Sequence, residues 1–187
     1  MTYSIEQLKN MIRYKKRLPP GFDQWYLKID EKGTTIAHFA AEYNCLPPDF
    51  DRWYLRDNNY WTVAHVAASH GHLPPDFNIW ELADIHNYTV AYIAVRHRYL
   101  PPNFNQWNLA DKYGQTVAHE AAACNHLPPN FDRWDLTNVY GQTVAHEAAM
   151  SSHLPSGFYS WYAANKDRWS VACIDSSNLP RDFNHWS

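Results

Sequence analysis

Asp111-Lys-Tyr-Gly-Gln-Thr-Val-Ala-His-Glu-Ala-Ala-Ala-Cys-Asn-His-Leu-Pro-Pro-Asn-Phe-Asp-Arg-Trp-Asp-Leu136 is the stretch whose reading decides the fold. Gly114 suits the left-handed backbone that ends a tight turn. Thr116 is a good helix N-cap, and Val-Ala-His-Glu-Ala-Ala-Ala supplies small helix-forming residues. Pro128 and Pro129 stop that helix, because neither offers an amide hydrogen and the residue before a proline avoids helical backbone. Proline also suits the first position of a new helix, and Phe131 and Trp134, three apart, share one face of a short one. The unit predicted is therefore a turn, a helix, a stop and a short second helix.

The unit recurs along the whole chain. Leu-Pro-Pro starts at Leu18, Leu46, Leu73, Leu100 and Leu127, with weaker copies at Leu154 and Leu179, so the spacings are 28, 27, 27, 27, 27 and 25 residues. All 12 prolines lie in these copies. A tryptophan follows each leucine by seven residues (Trp25, Trp53, Trp80, Trp107, Trp134, Trp161, Trp186), with a phenylalanine three residues before it. Such a period marks a tandem array in which no repeat buries enough apolar surface alone. Stacking solves this: Ala-Ala pairs at 40–41, 67–68, 121–122 and 148–149 let neighbouring helices approach, and Trp53, Trp80, Trp107 and Trp134 are assigned to the seam between repeats.

The repeat is similar to the ankyrin repeat. Thr-Val-Ala-His-Glu-Ala-Ala followed, after three intervening residues, by His, and preceded by Asp-x-x-Gly-x, resembles the first half of that family's pattern. The units begin at Asp30, Asp57, Asp84, Asp111, Asn138 and Asn165. The second half departs: Leu-Pro-Pro-x-Phe-x-x-Trp-x-Leu stands for the longer second helix and shortens the period from about 33 residues to 27. The resemblance implies an all-α, elongated stack forming one domain over 1–187. Residues 1–29 form a cap and half repeat, and the repeats span about 30–55, 57–82, 84–109, 111–136, 138–163 and 165–187. Ser4 with Gln7 is a capping box, and Ile5, Leu8, Met11 and Ile12 form a stripe, so a capping helix is expected over 4–17 with Lys15-Lys16-Arg17 at its C-terminal end.

Histidine invites a metal reading, since His38, His65, His119 and His146 recur at one place, with Tyr92 and Cys173 as substitutes. The resemblance implies a structural role instead: each bonds the threonine opening its helix and the backbone of the adjoining turn, which makes Thr116, His119, Thr143 and His146 scaffold. A second series, His72, His126 and His153, with Cys45, Tyr99 and Asn178 in register, is placed to meet helix C-terminal carbonyls. No repeat offers three or four ligands at zinc-like spacing, so no metal or cofactor is expected. Phosphate loops and hydrolase motifs are absent. Glu120 and Glu147 follow the structural histidines but point about 100° away from them, which suits helix solubility or local pairing rather than catalysis.

The positions that vary on this constant frame are the candidate binding residues. The residue before the threonine, the turn tips and the pair after Ala-Ala single out Tyr60, Trp61, His70, His86, Tyr88, Arg96, His97, Tyr113, Tyr140 and Trp169. Aromatics and arginine dominate binding hot spots. Tyr60, Asn87 and Arg168 occupy the glycine slot of the turn, so a different local turn is expected there.

The resemblance implies a non-catalytic scaffold for a protein partner, comparable to short ankyrin-like proteins of bacteria and their viruses that act by occupying another protein. The alternative is a small-ligand or nucleotide binder stacking a base on the aromatic and arginine cluster. A homo-oligomer through the ends of the stack is a further option. The composition excludes other classes. A formal net charge of −3, with the basic run confined to residues 15–17, does not suit a phosphate-binding face. No apolar stretch approaches a membrane span, and no secretory signal opens the chain. Three scattered cysteines suit a reducing cytoplasm rather than a disulfide framework.

Overall fold

The protein is described by a computed structural model over residues 3–14, 18–156, 158–159, 164–165 and 170–174. The basic run 15–17, Trp161, Arg168, Trp169, Asn178, Trp186 and the final Leu-Pro copy lie outside the described residues. The chain divides into two compact units, Met1–Phe104 and Asn105–Ser187. The first holds α1 (Ile5–Arg13), α2 (Ile36–Glu42), α3 (Val63–His70) and α4 (Val90–Arg96). The second holds α5 (Val117–Ala123), α6 (Val144–Met150) and α7 (Val171–Ile174). Within each unit every helix packs on the next in sequence. The regular structure of the described residues is helical, and strand pairing is confined to single bridges such as Arg56 with Thr62.

Helices of seven or eight residues are too short to persist unaided, since nucleation is costly and both ends leave polar groups unpaired. The repeat satisfies those groups with its own flanks. At the start of α3 the Val63 amide donates to the Leu55 carbonyl at 3.1 Å and the Ala64 amide to the Trp53 carbonyl at 3.2 Å. The His65 amide donates to Thr62 Oγ1 at 3.3 Å, and Val66 closes the first turn on the Thr62 carbonyl. The Trp-x-Leu segment is thus the lid on the following helix, and α5 uses Trp107, Leu109 and Thr116 in the same way. At the other end the Cys45 amide reaches the Ala40 carbonyl at 2.8 Å and the Asn44 amide reaches Ala41, with Asn44 left-handed at φ 55°. That pair of bonds is a Schellman closure, and it recurs at His126 and His153.

The expected second helix is not there. Pro47 to Phe50 and Arg52 to Leu55 form two successive turns, closed by Phe50 N–H to the Pro47 carbonyl and Leu55 N–H to the Arg52 carbonyl. Six residues separate the second proline from the Leu that must return extended to cap the next helix, and no nucleus forms in so short a span. Phe and Trp still meet, because consecutive turns bring residues three apart together much as a helix would. In the first unit the rings of Phe22, Trp25, Phe50, Trp53, Phe77, Trp80 and Phe104 form one alternating ladder. Each step is edge-to-face at 4.8–5.5 Å between centroids. In the second unit Trp107, Phe131, Trp134 and Phe158 repeat the arrangement at 5.3–5.6 Å. Trp53 and Trp80 are buried in the seam as expected, whereas Trp107 and Trp134 are half-buried. The capping helix begins at Ser4 with the capping box formed, and closes at Tyr14 rather than running on to residue 17.

Candidate partner-binding face

The glycine-slot expectation is corrected by the turns themselves. Tyr60 and Asn87 adopt φ 63° and 62°, the same left-handed backbone as Gly33, Gly114 and Gly141. The turns match in detail: Tyr60 N–H bonds the Asp57 carbonyl, and Asp57 Oδ1 accepts from Asn59 and Trp61 at 2.8 and 2.9 Å. Asp111 holds Tyr113 and Gln115 identically. The aspartate side chain and the bonded turn specify the shape so strongly that a tyrosine is forced into it. Left-handed backbone costs a non-glycine residue roughly 1–2 kcal/mol. Tyr60 is nonetheless 52 % exposed, its ring lying 5.3 Å from the Arg56 guanidinium.

The structural histidines position the residue that varies most. His65 Nδ1 accepts from the Thr62 hydroxyl at 2.7 Å and from the Thr62 amide at 3.2 Å. Its Nε2–H then donates to the carbonyl of Tyr88 in the next repeat at 3.0 Å. His38 holds the carbonyl of Trp61, and His119 that of Gln142, in the same way. A carbonyl only accepts, so the neutral Nε2–H tautomer is required. The second series works differently: His72 Nδ1–H donates to Ala41 and His153 Nδ1–H to Ala122, each on the preceding helix. Among the described residues no three His, Cys, Asp or Glu side chains converge as metal ligands.

In the first unit the face so built is aromatic. Tyr88 stacks on Tyr92 at 4.7 Å with His86 beside it, and Trp61 lies 5.7 Å from the His65 ring. His70, Arg96 and His97 are exposed at the ends of α3 and α4. Tyr92, which stands at the histidine position, packs into this aromatic group. The signal available was its helical spacing, four residues from Tyr88.

In the second unit the positions of Trp61 and Tyr88 are the carboxamides Gln115 and Gln142. Asn138 Nδ2 donates to Gln115 Oε1 at 2.8 Å and to Gln142 Oε1 at 3.1 Å. Glu147 is half-buried. Burial raises its carboxyl above the ordinary range against the opposing hydrogen bond from Gln115, and Glu120 raises it further. Of the two roles expected for these glutamates, helix solubility does not describe a half-buried pair of like charges, whereas local pairing does: Glu147 bonds Gln115 and Glu120 accepts from Cys124 Sγ. A carboxyl raised on folding contributes stability that is complete below its unfolded value, near 4.5, and lost as pH rises through the folded one. Glu147→Gln is therefore expected to raise the urea midpoint of the second unit at pH 7, with the gain vanishing below pH 4.5; an equal gain at both pH values would reject the electrostatic cause. Tyr113 and Tyr140 stand exposed at turn tips of this unit, the former under Lys112 at 4.9 Å.

These features define a class. Stacked repeats, each a β-turn tip leading into a capped helix and several pinned by a histidine such as His38, His65 and His119, make an ankyrin-type fold. The solved structure of the ankyrin repeat domain of Bcl-3, described as a unique member of the IkappaB protein family, is similar to this chain. It shares 16 % identity with a TM-score of 0.58, over 91 % of this chain and 87 % of that one. No family model and no curated protein sequence matches the chain. No helix among the described residues is long and apolar enough to cross a membrane.

Proposed function

We propose that the protein is a non-catalytic, cytoplasmic recognition scaffold that binds a partner protein and modulates it by occupying it, in the manner of the short ankyrin-like proteins of bacteria and their viruses. The observation that carries this reading is Tyr60. A large aromatic side chain is held at an exposed tip, in a backbone conformation where glycine would be unstrained and stands in three sibling repeats. Strain kept at an exposed aromatic points to use by a ligand. Trp61, Tyr88 and the exposed His70, Arg96 and His97 extend the same surface along the first unit, and a broad aromatic face of this kind suits a protein partner.

Tyr60→Gly separates stability from recognition. The variant is expected to gain about 1 kcal/mol in chemical denaturation, because the strain is relieved. It is expected to lose about tenfold or more in partner affinity, because an anchor is removed. The partner is found by pull-down with the full chain beside a Trp61→Ala/Arg96→Ala variant. A folded double variant that recovers the same partner equally well rejects this face. Thermal stabilisation by a nucleotide panel, with no protein recovered, favours the small-ligand reading instead.

A further inference from the structure

The Leu-Pro-Pro segments enclose grooves that the partner-binding face does not use. One of about 540 Å³ lies between Leu18–Phe22 and Leu46–Asp49, with Trp25 in its wall. The next, about 290 Å³, lies between Leu46–Pro48 and Leu73–Pro75, with Trp53 in its wall. Their linings are mainly proline, leucine and tryptophan, joined by Asn44, Cys45 and Asp49 in the first and by Asn44 and His72 in the second; the proline walls are rigid and lose little conformational freedom when covered. The segments that carry the grooves are acidic, with Asp49 in the lining of the first. Across the three Leu-Pro-Pro-to-Trp segments of Leu18–Trp80 stand Asp23, Asp49, Asp51 and Asp76, all exposed, against one cation. That cation, Arg52, is engaged with the Asp23 carbonyl and the Asp51 carboxylate.

The spacing of the grooves selects the shape of an occupant. The ladder advances from Trp25 to Phe50 by 5.4 Å and from Phe50 to Trp53 by 5.0 Å, so successive grooves are at most about 10 Å apart. Neighbouring helices pack at about 8–10 Å, which agrees. A polyproline-II chain makes one turn in three residues of about 3.1 Å each, so every third side chain recurs on one face about 9 Å further on. A β-strand turns every third side chain to the opposite face. An α-helix, about 10–12 Å wide, does not enter a groove whose proline walls are one repeat apart. We propose that these grooves take a polyproline-II peptide with an apolar residue at every third position, one per groove, and lysine or arginine between them to meet the exposed aspartates of these segments. Aromatic-lined grooves are the usual seat of such chains.

The test is titration of the full chain with a synthetic peptide of four Leu-Pro-Lys triplets. Saturable binding is expected, shifting the indole N–H resonances of Trp25 and Trp53 and not that of Trp61. A peptide of the same composition with irregularly spaced leucines is expected to bind roughly tenfold more weakly, because it places fewer anchors at once. Asp49→Lys/Asp76→Lys, at exposed positions that leave the circular dichroism unchanged, is expected to weaken binding by about tenfold at low salt. Equal binding of the two peptides, tighter binding of a helical peptide with leucines at every seventh position, shifts confined to Trp61, or indifference to the charge reversal would each overturn the proposal. The wild-type peptide pair decides the matter even if the variant is lost to misfolding, and a failure of this test leaves the Tyr60 result untouched.

Discussion

Phe77→Ala is expected to cost the first unit about 3–5 kcal/mol, the range for removing a buried phenylalanine. Phe77 is 8 % exposed and lies edge-to-face between Trp53 at 5.5 Å and Trp80 at 5.0 Å. Truncation removes its own burial and strips one edge of two tryptophans, each such pair being worth about 0.5–1.5 kcal/mol beyond area. Natural domains hold only about 5–15 kcal/mol in total, so much of the unit's stability is at stake. Urea denaturation followed by far-UV circular dichroism measures the loss. Phe77→Leu is expected to recover part of it, since volume returns without the ring geometry. Phe22→Ala, at a half-buried position, is expected to cost less than Phe77→Ala. A loss below about 1 kcal/mol at Phe77 would show that the ladder is incidental and that the alanine helices hold the stack alone.

Acidification is expected to unfold the first unit well above the range where carboxylates titrate. His38 and His65 are lowered below the ordinary value of 6.5, chiefly by burial, against the raising effect of the carbonyls they bond; His119 is lowered likewise in the second unit. The geometry gives the same direction, because a second proton on Nδ1 would face the threonine amide that donates to it. The unfolded chain thus binds more protons than the folded one once pH falls below 6.5. Stability is complete above that value and falls as pH drops toward the folded-state values. Each histidine contributes up to about 1.4 kcal/mol per pH unit in that window, so two in one unit give a slope of roughly 3. Denaturation midpoints at pH 8, 7, 6 and 5 measure it. Asp30, for which burial is the largest single effect and raises the carboxyl, is nonetheless lowered by the sum of its bonds to Thr34 and Lys32 and the Lys32 charge; it acts only below about pH 4 and does not confuse the reading. A flat profile from pH 8 to 5 would mean that the Thr-His-carbonyl relay carries no net stability.

The repeat period, the N-caps, the capping box at Ser4 and the structural reading of the first histidine series were all legible in the residues. Each depends on groups a few positions apart, such as Thr62 and His65, whose chemistry acts wherever the chain places them. Three features were not legible. Tyr60 in a left-handed turn follows from Asp57 and the neighbouring tip, where the Asn58 amide bonds the Lys32 carbonyl, and these overrule the tyrosine's own preference. The half-buried state of Glu147 follows from Gln115 and Glu120 in the preceding repeat. The replacement of a second helix by two turns follows from the Trp-x-Leu segment being taken up as the lid of the next helix. The residues alone fixed where the Thr-capped helices and the Ser4-capped helix begin, because capping acts locally. Tertiary structure alone decided what the intervening half does and which side chains the proposed partner face presents. The reason is that bonds such as His38 to Trp61 and His72 to Ala41 join residues 23 and 31 positions apart, and they form only once one repeat is laid against another.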